Sequence, residues 1–501
     1  MLGDQALAIG DKIKELGRHA VLYGLGSVVQ SASGLILLPL LTSTLAPKDF
    51  GAYSLVLLAS SIASSVFYFG MTSALPRSYF DCGSDDDRRA VFTTAFLILS
   101  LGALLQILTA IFLNEELSLM LTGTLLYADA VYYAFIGSAI GFMNYYFISY
   151  LRLLRKATAS VLLSIILLVI TISITYYLLL KNPGSINEPF KAILYAQLII
   201  SLLFMIAYGK SAFILRVAGN EIVKLLQFGL PIILASFGGL LLDGMDRFII
   251  ENYIGLTEVG EYSVALRIAS VINVILISPF ALIWTPIIME FRSSSNLNKL
   301  FSHVLTIYLI VGGIIVITMS LFANNIFNIL VKSEIKSEIL ILFVMLLISQ
   351  LVYSTTNFFS AGLYFERKVK IIPIIFMGVA ITKFPVSLLL VLNFGYIGAG
   401  ISSVLSCVAV PCIIYLVSKK YFMFNIEWKK LTNLCLIILP SILYISYAGI
   451  NEFLGIFLKL IFLLLSLLSI FKICLSYSEK KTILNFIKKT ANWRLIFAFK
   501  K

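Results

Sequence analysis

TASVLLSIILLVITISITYYLLL, residues 158–180, runs for 23 residues without a charged side chain. At 1.5 Å of rise per residue it makes a helix of about 34 Å, enough to cross a hydrocarbon layer about 30 Å thick. Thirteen other stretches read the same way, near 20–43, 52–76, 91–113, 121–147, 190–209, 227–253, 260–288, 302–323, 338–360, 371–392, 396–417, 432–449 and 453–474. The last two also fit an interfacial placement. Together they fill the chain almost end to end and leave no soluble domain of useful size. The expected fold class is an all-α polytopic membrane protein with about 14 transmembrane helices.

Composition agrees with that reading. The 501 residues are 60% hydrophobic and 13% charged, with a mean hydropathy of +1.00; a soluble chain is roughly 25% charged. The five cysteines (Cys82, Cys407, Cys412, Cys435 and Cys474) are scattered. Four lie in or near apolar helices, where cysteine acts as a small hydrophobe. His19 and His303 are the only histidines, so no metal site, disulfide framework or cofactor is expected. The first apolar run follows a charged segment and lacks a small-residue cleavage site, so it is expected to stay as the first helix. GDKIKELGRH, residues 10–19, leads into it as a short interfacial helix.

The net charge of +13 is distributed unevenly. With the N terminus in the cytoplasm and alternating spans, 29 of the 38 Lys and Arg fall on inner loops and the C-terminal tail. Five fall outside: Lys48, Lys181, Lys191, Lys332 and Lys336. Arg247, Arg267, Lys383 and Lys459 lie within spans. Inner loops carry the Lys and Arg excess in membrane proteins, so both termini are expected inside and the span count even. The basic charge is parcelled among loops with no basic domain, which excludes nucleic acid as a partner; the basic tail suits anionic lipid heads. All loops are short, which opposes an enzyme with an external catalytic domain.

The chain also repeats itself. FGAYS, residues 50–54, returns as VGEYS at 259–263, so Gly51, Tyr53 and Ser54 recur as Gly260, Tyr262 and Ser263. Each copy follows an odd-numbered span and opens the next one. The offset corresponds to six spans, an even number, so the repeat is parallel. The expected organisation is two six-helix bundles, 1–215 and 216–420, related by a pseudo-two-fold axis, then two extra helices and a basic tail over 421–501.

LPLLTSTLAPKDFGAYSL (38–55) and YFGMTSALPRSYF (68–80) in the first half, with LLLDGMDRFIIENYIGLTEVGEYSVALRIASV (240–271) and SPFALIWTPIIMEF (278–291) in the second, carry a family signal. Over roughly 16–420 the chain resembles the polysaccharide transporters of the multidrug/oligosaccharidyl-lipid/polysaccharide exporter superfamily, the Wzx-type flippases. The more specific parts are the Asp-Arg of span 7, the Gly-x-Tyr-Ser turn after it, and Gly70 with Arg77 in span 2. The resemblance implies a non-enzymatic protein of the bacterial inner membrane. It implies movement of undecaprenyl-pyrophosphate-linked oligosaccharide, an O-antigen or capsule unit, to the outer leaflet by alternating access. Membrane lipids, a proton or sodium gradient and other polysaccharide-assembly proteins are the implied partners. The two extra helices depart from the usual twelve spans and match the count of the lipid II flippases. A lipid II flippase, a multidrug/cation antiporter of the same superfamily, and a polytopic polysaccharide polymerase or other membrane enzyme therefore stand as alternatives.

A pyrophosphate lipid needs cations in a wet cavity. A charge in a span costs at least ~2.5–3.5 kcal/mol on insertion scales and so tends to mark function. Asp243, Asp246, Arg247 and Glu251 recur at i, i+3, i+4 and i+8 on span 7, and Arg247 is within reach of Asp243 or Glu251 along the helix. Arg247, Arg267, Lys383 and Arg77 are the candidate substrate-binding cations, Arg as a bidentate fork and Lys as a point charge. Asp243, Asp246, Glu251 and Asp129 are the candidate ion-coupling or gating carboxylates. Asp129, read as lying inside span 4 among Tyr127, Tyr132 and Tyr133, is a proton carrier or the partner of a neighbouring cation. The competing reading of the span 7 group is a salt-bridge lock between helices, and Arg77 also reads as a plain inner-end charge. Pro231, Pro279, Pro286, Pro373 and Pro385 interrupt spans, as bending points or as static kinks.

Overall fold

A computed structural model describes residues 33–290, 297–331, 336–366, 368–445 and 452–474. Segment 10–19, the beginning of the first span and the basic tail lie outside them. Among the described residues all regular structure is helical. The helices are α1 (Ser33–Thr44), α2 (Pro47–Phe67), α3 (Met71–Asp81), α4 (Asp85–Phe112), α5 (Asn114–Thr122), α6 (Ala128–Leu153), α7 (Ala157–Lys181) and α8 (Asn187–Ala212). Then follow α9 (Gly219–Tyr253), α10 (Leu256–Ala269), α11 (Ser278–Glu290), α12 (Leu297–Leu321), α13 (Ala323–Leu330) and α14 (Ser337–Ser354). The short α15 (Thr356–Phe359) and α16 (Ala361–Phe365), the long α17 (Ile371–Ser418), α18 (Trp428–Ile445) and α19 (Glu452–Ser469) complete the order. Among the described residues eleven helical segments are long and apolar enough to cross a membrane, so the chain is a multi-pass membrane protein.

Local chemistry sets the helix ends. Pro47 opens α2, where its missing N–H costs nothing. Ser84 caps α4 by accepting the Asp87 amide at 3.1 Å, and Asp85, Asp86 and Asp87 sit at the positive end of the helix dipole.

Several predicted spans are not straight helices. Span 52–76 breaks after α2, where Phe69 (φ 53°) and Gly70 (φ 68°) are left-handed. The break brings backbones together: a Cβ on Gly70 would lie 2.3 Å from Gly229 O, and one on Gly229 would lie 2.2 Å from Phe69 O. Span 260–288 is interrupted by a π turn, Asn273–Ile277. Spans 371–392 and 396–417 are the two arms of α17, which bends at Gly395 (φ 59°, ψ −145°). Only glycine adopts that conformation readily.

The chain divides into two compact units, Met1–Glu290 with Ile329–Tyr421, and Phe291–Asn328 with Phe422–Lys501. In the first, an aromatic core ties α4, α6 and α8 together: Phe147 stacks on Phe204 (centroids 4.1 Å apart, 4° between planes), and Tyr146 donates to Phe92 O at 2.7 Å. α2 and α10 lie against each other through their recurring glycines. A Cβ on Gly51 would lie 2.0 Å from Leu256 O, and one on Gly260 would lie 2.1 Å from Pro47 O. The contact is reciprocal, because Leu256 and Pro47 occupy equivalent places before the two motifs. In the second unit Ile310, Ile317, Leu321, Leu434 and Ile470 form the core. There Lys459 donates to Asn325 Oδ1 at 2.7 Å, which gives its ammonium a hydrogen-bond partner within the unit.

Candidate functional site

The site is organised by α9. Asp246 is completely buried and Lys383, from α17, is nearly so. Lys383 Nζ donates to Asp246 Oδ2 at 2.7 Å and to Leu242 O at 2.6 Å. Ser387 donates to Asp246 Oδ1 at 2.7 Å, and Ser403 donates to Oδ2 at 2.8 Å. Tyr262 OH, on α10, reaches the same Oδ2 at 3.3 Å. A carboxylate buried this deeply is tenable only when its lone pairs are met, and here two helices supply every partner.

Asp246 and Arg247 diverge by about 100° around the helix, so they meet different neighbours. Arg247 Nη1 donates to Ser54 Oγ on α2 at 3.2 Å, and its Nε is buried without a partner. The expected pairing of Arg247 with Asp243 or Glu251 does not form; the ion pair in this region is Lys383 with Asp246. Lys383, expected as a substrate-binding cation, is therefore held by a carboxylate. Ser54 and Tyr262 come from the two copies of the repeated motif, so each copy holds one of the charged side chains of α9.

Asp243 faces a different environment. It is exposed although it lies ten residues, about 15 Å, before the end of α9. It lines a cavity of about 40 Å³ together with Tyr262, Gln350, Tyr353, Lys383 and Ser403. That space holds one or a few waters. Asn273 and Gln350 hydrogen-bond to each other at its edge.

Arg267, on α10, is half-buried and approaches α1: a Cβ on Gly34 would lie 2.8 Å from its Nε and Nη2. Neither Arg247 nor Arg267 forms an ion pair among the described residues. Taken together, Asp243, Asp246, Arg247, Arg267 and Lys383 carry a formal charge of +1.

The remaining candidates lie apart from this cluster. Glu251 sits half-buried in the last turn of α9, near Gly123. Arg77 is exposed on α3 and stacks over the Phe228 ring at 4.7 Å. Asp129 lies near the start of the apolar segment Leu125–Leu153, toward one end of the span and not at its middle. It is exposed in the first turn of α6, where a carboxylate favours the helix dipole. Sequence reasoning missed Tyr262, Ser387 and Ser403 as partners of Asp246. Tyr262 was already marked by the repeat; the two serines carry no distinguishing signal in an apolar run.

Fold and site define a polytopic α-helical membrane protein with charged side chains braced between non-consecutive spans. Residues 16–292 match the family model described as "Polysaccharide biosynthesis protein", and the chain belongs to that family. A search of curated proteins finds no match. Among solved structures the chain is similar to the lipid II flippase MurJ in an inward closed conformation, with TM-score 0.70 and 16% identity over 89% of this chain and 98% of that one. It is also similar to an inward-facing multidrug resistance MATE family transporter of the MOP superfamily, with TM-score 0.66 and 16% identity over 79% and 94%. The fold is thus that of the MOP-type flippases and transporters.

Proposed function

We propose that the protein flips undecaprenyl-pyrophosphate-linked oligosaccharide, an O-antigen, capsule or exopolysaccharide repeat unit, from the cytoplasmic to the outer leaflet of a bacterial inner membrane. The observation that carries this reading is the pair Arg247 and Arg267, two cations that form no ion pair among the described residues, on α9 and α10, the helices whose Asp243 and Tyr262 line the cavity. A pyrophosphate matches such groups, whereas a cationic drug does not. Family membership supports the saccharide as cargo. Lipid II shares the pyrophosphate carrier and remains the competing cargo within the same mechanism.

In this reading the bundles 1–215 and 216–420 rock about the contact of α2 with α10, 421–501 is an addition to them, and both termini are cytoplasmic. The reciprocal packing of Gly51 and Gly260 supports the parallel relation. Coupling uses protons. Asp246 and Leu242 O form an oxygen cage of the kind a hard cation occupies, and the Lys383 ammonium already fills it. Asp243, exposed to the cavity, is the carboxylate placed to take up a proton.

The test is translocation in proteoliposomes containing the purified protein and undecaprenyl-pyrophosphate-linked oligosaccharide from the source cells. Appearance of the saccharide on the opposite leaflet, dependent on the protein, supports the assignment. Transport of lipid II alone would replace the cargo, and transport of neither would remove the flippase reading.

A further inference from the structure

A second cavity, of about 370 Å³, lies away from the charged site, between α6, α7 and α8. Ser138, Gly141, Asn144 and Tyr145 line it from α6, and Gln197 lines it from α8. Its size is that of a small-molecule site, about 300–1,000 Å³. No charged side chain lines it. The α6 residues lie 10 to 17 positions after Ala128, which places them about 15–26 Å along the helix and near mid-bilayer.

Polar groups at this depth must find partners, because hydrocarbon offers none. Most do. Gln106 Nε2 donates to Ser64 Oγ, Ser138 Oγ and Phe135 O at 2.9, 2.8 and 3.0 Å, an arrangement that glues α2, α4 and α6. Asn144 Nδ2 donates to Gln197 O and Gln197 Oε1 at 2.7 and 2.8 Å, and Asn144 Oδ1 accepts from Ser201 at 2.9 Å. Gln197 Nε2 is the exception: it makes no hydrogen bond among the described residues. It borders the cavity beside Gly141, where a Cβ would lie 3.2 Å from it. Tyr145, 42% exposed, lines the same space.

We propose that this cavity is a subsite for the saccharide portion of a lipid-linked substrate. The inference rests on the flippase reading above and adds where the sugar is held. An uncharged cavity repels neither end of a hydroxyl and offers no counter-charge to phosphate or to an ion. Gln197 supplies two N–H donors to hydroxyl oxygens, and the Tyr145 ring supplies a face for the C–H side of a pyranose. The charged pyrophosphate stays with the arginines, so sugar and phosphate are read by different parts of the chain.

The test compares two ligands on purified protein in nanodiscs: undecaprenyl pyrophosphate, and the undecaprenyl-pyrophosphate-linked oligosaccharide extracted from the source cells. Binding is titrated for wild type, Gln197→Leu and Tyr145→Ala. The subsite predicts tighter binding of the glycosylated lipid by wild type, and its weakening by about tenfold in each variant. Binding of the bare carrier stays unchanged. Glycosylated affinity that stays within about twofold of wild type in both variants, or a parallel loss for both ligands, overturns the subsite. Failure of wild type to bind either lipid overturns the flippase reading itself.

Discussion

Lys383 Nζ and Asp246 Oδ2 lie 2.7 Å apart, although 137 residues separate them in the chain. Their side chains are 2% and 0% accessible. This pair joins α9 to α17 and removes one of the four expected cations from contact with cargo. Breaking such a pair from one side leaves an uncompensated buried charge, at about 3–5 kcal/mol. Lys383→Met is expected to lower thermal stability sharply in detergent, followed by fluorescence-detected size exclusion. Asp246→Leu added to Lys383→Met restores much of the stability, because two apolar side chains replace two charges together. Transport stays lost in the double variant. A single variant as stable as wild type would contradict the pairing.

Gly51 and Gly260 are expected to resist any side chain. Gly51→Val and Gly260→Val each push a Cβ into backbone at 2.0 and 2.1 Å, where no rotamer change relieves the clash, and overpacking costs typically ~1–3 kcal/mol. Both variants should express as poorly folded protein. Gly83→Ala, with nothing within 4 Å, serves as the control and should match wild type.

Arg247→Ala and Arg267→Ala are expected to cut flipping by about tenfold or more, the cost of losing a charge-assisted contact to pyrophosphate. Membrane insertion and yield remain normal, since neither side chain balances a carboxylate. Wild-type flipping in both variants would sink the cationic-cavity assignment.

Replacing sodium with choline should leave transport unchanged, whereas a protonophore slows it. Asp243→Asn should abolish the response to the proton gradient. Unchanged rates after collapse of both gradients would remove coupled transport, and a sodium requirement would transfer coupling away from the cage that Lys383 fills.

The helices were legible because hydropathy reports burial in lipid directly. Each predicted apolar run with described residues coincides with helix, and the main differences are breaks at Gly70, at Asn273–Ile277 and at Gly395. The break at Gly70 goes with a close backbone contact to Gly229 far away in sequence, which a window along the chain does not sense. The charges of α9 were visible, but their partners were not. Helical spacing placed Arg247 within reach of Asp243, yet the choice between neighbours is made by α2 and α17, far away in sequence. Ser387 and Ser403 look like any serine in a span. The apolar run around 121–147 hides the Gly123 turn, after which α6 starts at Ala128, so Asp129 sits in the first turn of its helix.

The most direct measurement uses a strain lacking this protein with the rest of its surface-sugar machinery intact. Polyprenyl-linked saccharides are extracted and assigned to leaflets. The flippase account predicts complete units accumulating on the cytoplasmic face, reversed by the wild-type gene and not by the Arg247→Ala, Arg267→Ala double variant. A normal leaflet distribution, with no redundant flippase present, would contradict it.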